Sequence, residues 1–495
     1  MAEQQQYETV VGLEIHARLL TQSKLFCGDS IAFGDEANTH VSPITLAHPG
    51  TLPKMNKKAI EYAVKMGLAC HCTIEKYNYF ARKNYFYPDL PKGYQVSQHT
   101  TPICAGGYIT IKTGTPANAE GEKNIRLNRI HMEEDAGKSL HDVDDNNTSI
   151  DYNRAGTALI EIVSEPDMRN GEEAFAYLTE VRQLLRYLEI CDGNMEEGSL
   201  RCDVNISVRK TGDPELGTKV EVKNLNSIRN VKLAVETEAK RLVDLLEKGG
   251  TVIQETRSFD AGKGTTFATR EKEDADDYRY FAEPDLTPFQ IRDEFIVKIR
   301  KTIPVLAGER IKRYTTGLQL SEYDAGILTE EKTFSDYYET LLRCLDSWER
   351  SSKGRPKAAA NWMLGPVRSW MNENNNEIGA FPISPATLAS VIGMVEEGKI
   401  SFSAASTKLF SRLVKEPGKD PEEVAVEENL LQQSDVAAIE PIIDKVLEKF
   451  AGKVTEYKKG KKGLLALFVG EVMKQSKGKA DPKLTSQLVE EKLKS

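Results

Sequence analysis

Long apolar runs are missing from this chain. No stretch approaches the ~20 consecutive apolar residues that a membrane helix needs. The first six residues, Met-Ala-Glu-Gln-Gln-Gln, have neither the basic start nor the apolar centre of a signal peptide. Cysteine is sparse and odd in number, seven in 495 residues, which excludes a disulfide framework. Cys70 and Cys72 flank His71, but no second pair follows at zinc-ligand spacing, so the triplet reads as packing at a helix end. Excess positive charge is also lacking: a net charge of −9 and a pI of 5.6 exclude a protein that coats nucleic acid over its whole surface. A reduced, cytoplasmic enzyme without membrane attachment is the expectation.

Several catalytic signatures are absent too. Asp260-Ala-Gly-Lys-Gly-Thr-Thr266 is glycine-rich but lacks P-loop spacing. There is no nucleophile elbow and no glycine/serine-rich amidase segment. Nothing in the chain offers an evident way to release ammonia from glutamine.

What the chain has instead is single acids set inside apolar strand patterns. Ile125-Arg-Leu-Asn-Arg-Ile-His-Met-Glu-Glu-Asp-Ala-Gly-Lys138 begins as an alternating strand and ends on Glu133, Glu134 and Asp135. Val10–His16, Ala158–Val163, Cys202–Val208 and Val220–Asn224 repeat the theme. Glu14 and His16, two apart, share one strand face while Leu13 and Ile15 take the other. Two carboxylates ~4 Å apart repel by about 4 kcal/mol at an effective dielectric of ~20, against a net stability of only ~5–15 kcal/mol. Several such acids together therefore need cations. Either arginines such as Arg129, Arg154 and Arg201 neutralise Glu14, Glu161 and Asp203, or divalent ions do; for the whole set the second reading is preferred. Magnesium favours carboxylate oxygens, water and phosphate; His16 would orient a ligand or bind manganese in its place.

At this length roughly three domains are expected. Residues 1–294 read as α+β with a large, mostly antiparallel sheet. Helices are expected from Asn56, with Ile60, Ala63, Val64 and Gly67 on one face, and after the Asn170 cap, with Phe175, Leu178, Val181, Leu185 and Leu188 buried. A third runs from Ser227 to a stop at Gly249, with Val231, Val235, Leu242 and Leu246 inward. Tyr108–Lys112 and Ile125–Arg129 read as a hairpin, and His141–Asn147 as a mobile polar insertion. Residues 295–405 and 406–495 read as two all-α domains. Between Lys453 and Lys483 nine lysines face three acids, either a solvated face or a nucleic-acid contact. Arg82–Tyr94 interleaves basic and aromatic residues, either pinning a loop to the core or contacting phosphate and adenine or ribose.

Seven stretches carry a resemblance: Val11–His16, Arg82–Asp89, His131–Lys138, Leu159–Asp167, Met195–Asn205, Lys223–Ser227 and Asp277–Phe281, with a tail at Phe468–Lys474 and Lys477–Pro482. Together they resemble the B subunits (GatB family) of the aspartyl/glutamyl-tRNA amidotransferases over essentially the whole chain. The resemblance implies a sheet similar to the glutamine-synthetase cradle, ATP and Mg2+ (with Mn2+ able to substitute), and ATP-dependent phosphorylation of the side-chain carboxylate of Glu-tRNA(Gln) or Asp-tRNA(Asn). It implies an amidase partner that acts as glutaminase, a small third partner, and ammonia channelled to this chain.

By the same resemblance Glu14, His16, Glu134, Glu161 and Asp203 surround the metals and phosphate. Strand parity alone does not decide between Glu133 and Glu134; the resemblance favours Glu134. Glu221 falls at the channel mouth. Arg82, Lys83, Tyr85, Arg201, Lys223 and Arg279 are candidates for substrate or nucleotide contact, and Lys458, Lys459, Lys461, Lys462, Lys474, Lys477 and Lys479 for tRNA contact. Many members carry a four-cysteine zinc knuckle near the start. Here Cys27 precedes Gly28 and the later pair is replaced within Val41–Ala47, so no zinc is expected.

Overall fold

The protein is described from a computed structural model. The structure describes residues 6–115, 118–141, 146–271, 278–346, 354–432, 436–476, 480 and 482–494. The chain divides into two compact units, residues 1–307 and 308–495.

Unit 1 is built on a thirteen-stranded sheet. Its principal strands are β1 (Tyr7–Arg18), β2 (Ala81–Asn84), β3 (Tyr94–Ser97), β4 (Tyr108–Thr115), β5 (Asn118–Glu134), β6 (Ala158–Ser164), β7 (Leu200–Lys210), β8 (Val220–Lys223), β9 (Glu255–Asp260), β10 (Thr265–Glu271) and β11 (Phe281–Ala282). The spatial order is β10-β9-β8-β7-β1-β6-β5-β3-β2-β11, with β4 paired to β5 off this path. Among these strands only β8 and β9 run parallel; the sheet is mixed and mostly antiparallel.

One face of β1 turns Leu13, Ile15 and Ala17 into a continuous core, shared with Ile160 and Ile162 of β6 and Leu200, Val204 and Ile206 of β7. Helices α1 (Lys57–Ala69), α2 (Gly171–Tyr187) and α3 (Ile228–Glu247) contribute to the same core. Each begins where a side chain caps it: Asn56 accepts from the Lys58 amide, Asn170 from Glu173 and Ser227 from Asn230. On α1, Ile60, Ala63, Val64 and Gly67 are all buried. Gly67 is required there, because a Cβ would collide with the Cys104 sulfur. Cys70 caps the end of α1, and Cys70 and Cys72 are both buried.

On α2 the stripe differs from expectation at one position. Phe175 is 39% exposed, and Ala174 and Tyr177 are buried beside Leu178, Val181 and Leu185. A residue one step from the buried 174–178–181–185 row is turned 100° away from it. On α3, Val231, Val235 and Leu242 are buried and Leu246 packs at the margin. The expected hairpin is present, with Tyr108 opposite Arg126 and Ile109 opposite Ile125. Within the polar insertion, residues 142–145 lie outside those described.

Unit 2 is helical throughout its described residues and holds two separate hydrophobic clusters. One runs from Tyr314 to Leu430, the other from Ile439 to Leu493. Among the described residues no helix is long and apolar enough to cross a membrane.

Candidate functional site

The face of the sheet opposite the helices holds a cavity of ≈ 600 Å³. Strand register decides what enters it. Glu14 of β1 stands opposite Val163 of β6 and Asp203 of β7, and His16 opposite Glu161 and Arg201. Glu161 is in turn opposite His131 of β5, and Asn205 of β7 opposite Glu221 of β8. With a side-chain period of two, His131 brings Arg129 and Glu133 to the same face. All of these except Asn205 line the cavity, with Lys83, Tyr85, His99, Asp135, Lys223, Tyr278 and Tyr280.

Its centre is a cluster of imidazoles and carboxylates. His16 Nε2 lies 3.4 Å from Glu133 Oε1 and 3.5 Å from Glu161 Oε2. His131 Nε2 lies 3.2 Å from Glu161 Oε2 and 3.8 Å from Glu133 Oε2. Burial works against the charge on both histidines, but the surrounding carboxylates, Glu161 foremost, outweigh it and raise each to about 9. Burial would likewise raise Glu161, yet its two imidazole neighbours hold it well below the usual carboxylate range. Glu14 is raised, by burial first and then by Glu161; the Asn205 amide, donating to Glu14 Oε1 at 2.8 Å, works the other way.

The remaining acids have partners. Lys223 Nζ lies 2.7 Å from Asp203 and 3.3 Å from Glu221, and Thr256 donates to Glu221 at 2.9 Å. Arg201 lies 2.9 Å from Asp135, which Arg154 approaches at 3.5 Å. Among the described residues, Glu14, Glu161 and Asp203 make no ion pair with an arginine.

The expected site residues are therefore mostly brought together: Glu14, His16, Glu161, Asp203, Glu221, Lys83, Tyr85, Arg201 and Lys223 line one cavity. Glu134 is not among them. It faces the other way, pairs with Lys92, and accepts from the Val96 amide at 2.8 Å. There it borders a separate recess of ≈ 220 Å³. Adjacent residues on a strand point to opposite faces, so bringing Glu133 in turns Glu134 out. The same rule separates Lys83, in the cavity, from Arg82, which pairs with Glu283 at 2.7 Å and Asp285 at 3.2 Å. Arg279 does not line the cavity.

The sequence left Glu133 as the alternative to Glu134 and assigned His131 no role, although alternation from Glu133 back through His131 to Arg129 is visible in the chain. Tyr278 and Tyr280 arrive through the pairing of β11 with β2, which no local signal announces.

The lysines expected to contact tRNA lie in unit 2. Lys458, Lys459, Lys461, Lys462 and Lys474 are exposed. Lys461 pairs with Glu456 at 3.0 Å, and Lys462 lies over the Tyr457 ring at 4.3 Å. Lys477 and Lys479 lie outside the described residues.

A divalent ion fits the central cluster. One ligand atom each from His16, Glu133 and Glu161 can be chosen so that all lie within 4.8 Å of one another. Two carboxylates and an imidazole suit Mg2+ through oxygen and Mn2+ through both donor types.

Comparison with known proteins identifies the family. The GatB/GatE catalytic domain family matches residues 9–297, and the GatB domain family residues 348–493. The aspartyl/glutamyl-tRNA(Asn/Gln) amidotransferase B subunit of Chlorobium phaeobacteroides (strain BS1) is 47% identical over 487 residues, 98% of this chain and 99% of that protein. The proteins of the same name from Thermoanaerobacter sp. (strain X514), 47% identical with the same coverage, and Syntrophotalea carbinolica, 46% identical over 98% of both chains, are equally similar. This chain belongs to the family of aspartyl/glutamyl-tRNA(Asn/Gln) amidotransferase B subunits.

Proposed function

We propose that this chain is the activating component of a tRNA-dependent amidotransferase. It would use ATP to phosphorylate the side-chain carboxylate of Glu-tRNA(Gln), Asp-tRNA(Asn) or both, and then amidate it with ammonia from a glutaminase (amidase) partner, in a cytoplasmic complex with a small third partner. The observation that carries this reading is the convergence of Glu14, His16, Glu133, Glu161 and Asp203 from four strands on one cavity face. These residues would hold the Mg2+ or Mn2+ ions of the reaction. When bound, such ions offset the charge of a nucleotide's phosphates and of the phosphoryl group in transfer.

The chemistry follows from the substrate. A carboxylate is a poor acyl electrophile because its oxygen is a poor leaving group. Attack of that oxygen on the γ-phosphorus of ATP releases ADP and leaves an acyl phosphate. Ammonia then attacks the acyl carbon, phosphate departs with the bonding pair, and the nitrogen sheds a proton. Glu221, buried and close to Lys223, is the candidate acceptor for it. Lys83 stands beside the Tyr278 ring at 4.7 Å and the Tyr85 ring at 5.7 Å, a setting suited to a nucleotide's phosphate and base. The exposed lysines of unit 2 would meet the tRNA backbone; they lie in the segment of the second hydrophobic cluster, Ile439–Leu493, whereas the expected division at about residue 405 falls within the span of the first.

The test uses the chain purified with the partners it assembles with. ADP release should depend on misacylated tRNA, and a labelled γ-phosphoryl group should be trapped as an acyl phosphate when ammonia is withheld. Equal amidation of free glutamate and Glu-tRNA(Gln) would instead indicate a small-molecule ligase.

A further inference from the structure

We infer that Arg129 receives the side-chain carboxylate of the aminoacyl substrate, an assignment that rests on the proposed function. The cavity's acids repel an incoming carboxylate, so a substrate of that charge needs a cation left over from the protein's own pairing. Beside the two imidazoles already paired with Glu133 and Glu161, four lysine and arginine side chains line the cavity: Lys83, Arg129, Arg201 and Lys223. Arg201 is committed to Asp135, and Lys223 to Asp203 and Glu221. Lys83 lies against tyrosine rings.

Arg129 makes no ion pair among the described residues. Its Nη1 donates to the His99 carbonyl at 3.3 Å, while its Nε is sealed from solvent with no acceptor. Buried N–H groups are seldom left in that state. A guanidinium can offer a carboxylate a planar edge of two parallel donors; an ammonium such as Lys83 acts as a point charge. Position agrees with chemistry. Arg129 shares its strand face with His131 and Glu133 and stands opposite Val163, itself opposite Glu14. Two strand spacings, about 10 Å, therefore separate the backbones of Arg129 and Glu14. A carboxylate held by Arg129 would lie beside the imidazole–carboxylate cluster rather than within it.

The experiment compares wild type, Arg129→Lys and Arg129→Ala in the complete assembly, with ammonium chloride as nitrogen donor and Glu-tRNA(Gln) and Asp-tRNA(Asn) as substrates. We expect kcat/KM for amidation to fall about tenfold in the lysine variant and about a hundredfold in the alanine variant. The dissociation constant for ATP should stay at the wild-type value, and added guanidinium ion should restore part of the alanine variant's activity, a rescue that a merely structural arginine would not show. A parallel loss of ATP affinity would assign the edge to a nucleotide phosphate and overturn the inference, as would wild-type amidation by folded Arg129→Ala. If wild type itself shows no ATP-dependent amidation, the proposed function fails, and this assignment with it.

Discussion

Glu161 lies between two imidazoles, its Oε2 3.5 Å from His16 Nε2 and 3.2 Å from His131 Nε2. In the metal-free protein this arrangement keeps both histidines protonated through neutrality, each raised to about 9. Their folded values lie above the unfolded 6.5, so their contribution to stability is complete below pH 6.5 and is lost as pH rises through about 9. A divalent ion needs a neutral imidazole. Uptake of Mn2+ should therefore release protons, and its affinity should climb as pH rises toward about 9 and then level. Calorimetry in buffers of different ionisation enthalpy reads the released protons; a pH-independent affinity would count against His16 as a ligand. Glu161→Gln should bring both imidazole titrations, followed by NMR, back toward their ordinary value.

Glu133 and Glu134 should separate function from stability. Glu133→Gln removes a carboxylate from the central cluster and should weaken Mn2+ binding at least about tenfold while changing thermal stability little, since the lost pairing with His16 and His131 is offset by relief of repulsion with the other carboxylates. Glu134→Gln strips the partner from Lys92 and should cost about 1–3 kcal/mol in denaturant unfolding, with Mn2+ binding unchanged. The opposite pattern would return Glu134 to the ion site, where the sequence resemblance puts it.

That pair also marks how far the sequence could be read. Glu14 with His16, Glu161 and Asp203 were identifiable because a lone acid inside an apolar strand is conspicuous and the period of two sorts faces within a strand. The helix starts near Asn56, Asn170 and Ser227 were legible for an equally local reason, Asn170 also as a cap. Choosing Glu133 over Glu134 required knowing that His131 stands opposite Glu161, a register between strands some 30 residues apart. The sides taken by Arg82 and Lys83 depend on the same kind of information. The tyrosines at 278 and 280 lie in the Asp277–Phe281 stretch that the resemblance singles out, but their place in the cavity follows from the pairing of β11 with β2 across about 200 residues, which no periodicity encodes.

Lys223 occupies ground that an ion would contest. Its Nζ bridges Asp203 and Glu221, and although burial opposes its charge, those acids raise its pKa. Ligation of a metal by Asp203 has to displace this ammonium. Lys223→Met should raise Mn2+ affinity several-fold and lower the stability of the metal-free protein by about 1–3 kcal/mol, because two partly buried carboxylates lose their counter-charge. Added Mn2+ should recover that loss by preferential binding to the folded state. Unchanged Mn2+ affinity in this variant would mean that Asp203 is not a ligand.

Glu180 provides a test of stability independent of the site. It lies on α2, and burial raises its carboxyl to about 7, with Lys112 pulling only weakly the other way. The folded value lies above the unfolded 4.5, so folding is favoured most when the group is protonated. The advantage is complete below about pH 4.5 and is lost as pH rises through about 7. Glu180→Gln mimics the protonated form and never ionises. It should therefore match wild type near pH 4.5 and exceed it above pH 7 by about 3 kcal/mol, at roughly 1.4 kcal/mol per pKa unit. Urea unfolding at about pH 4.5, 6 and 8 reads the divergence. Equal stabilities at the highest of these would show that α2 accommodates the ionised carboxylate without penalty.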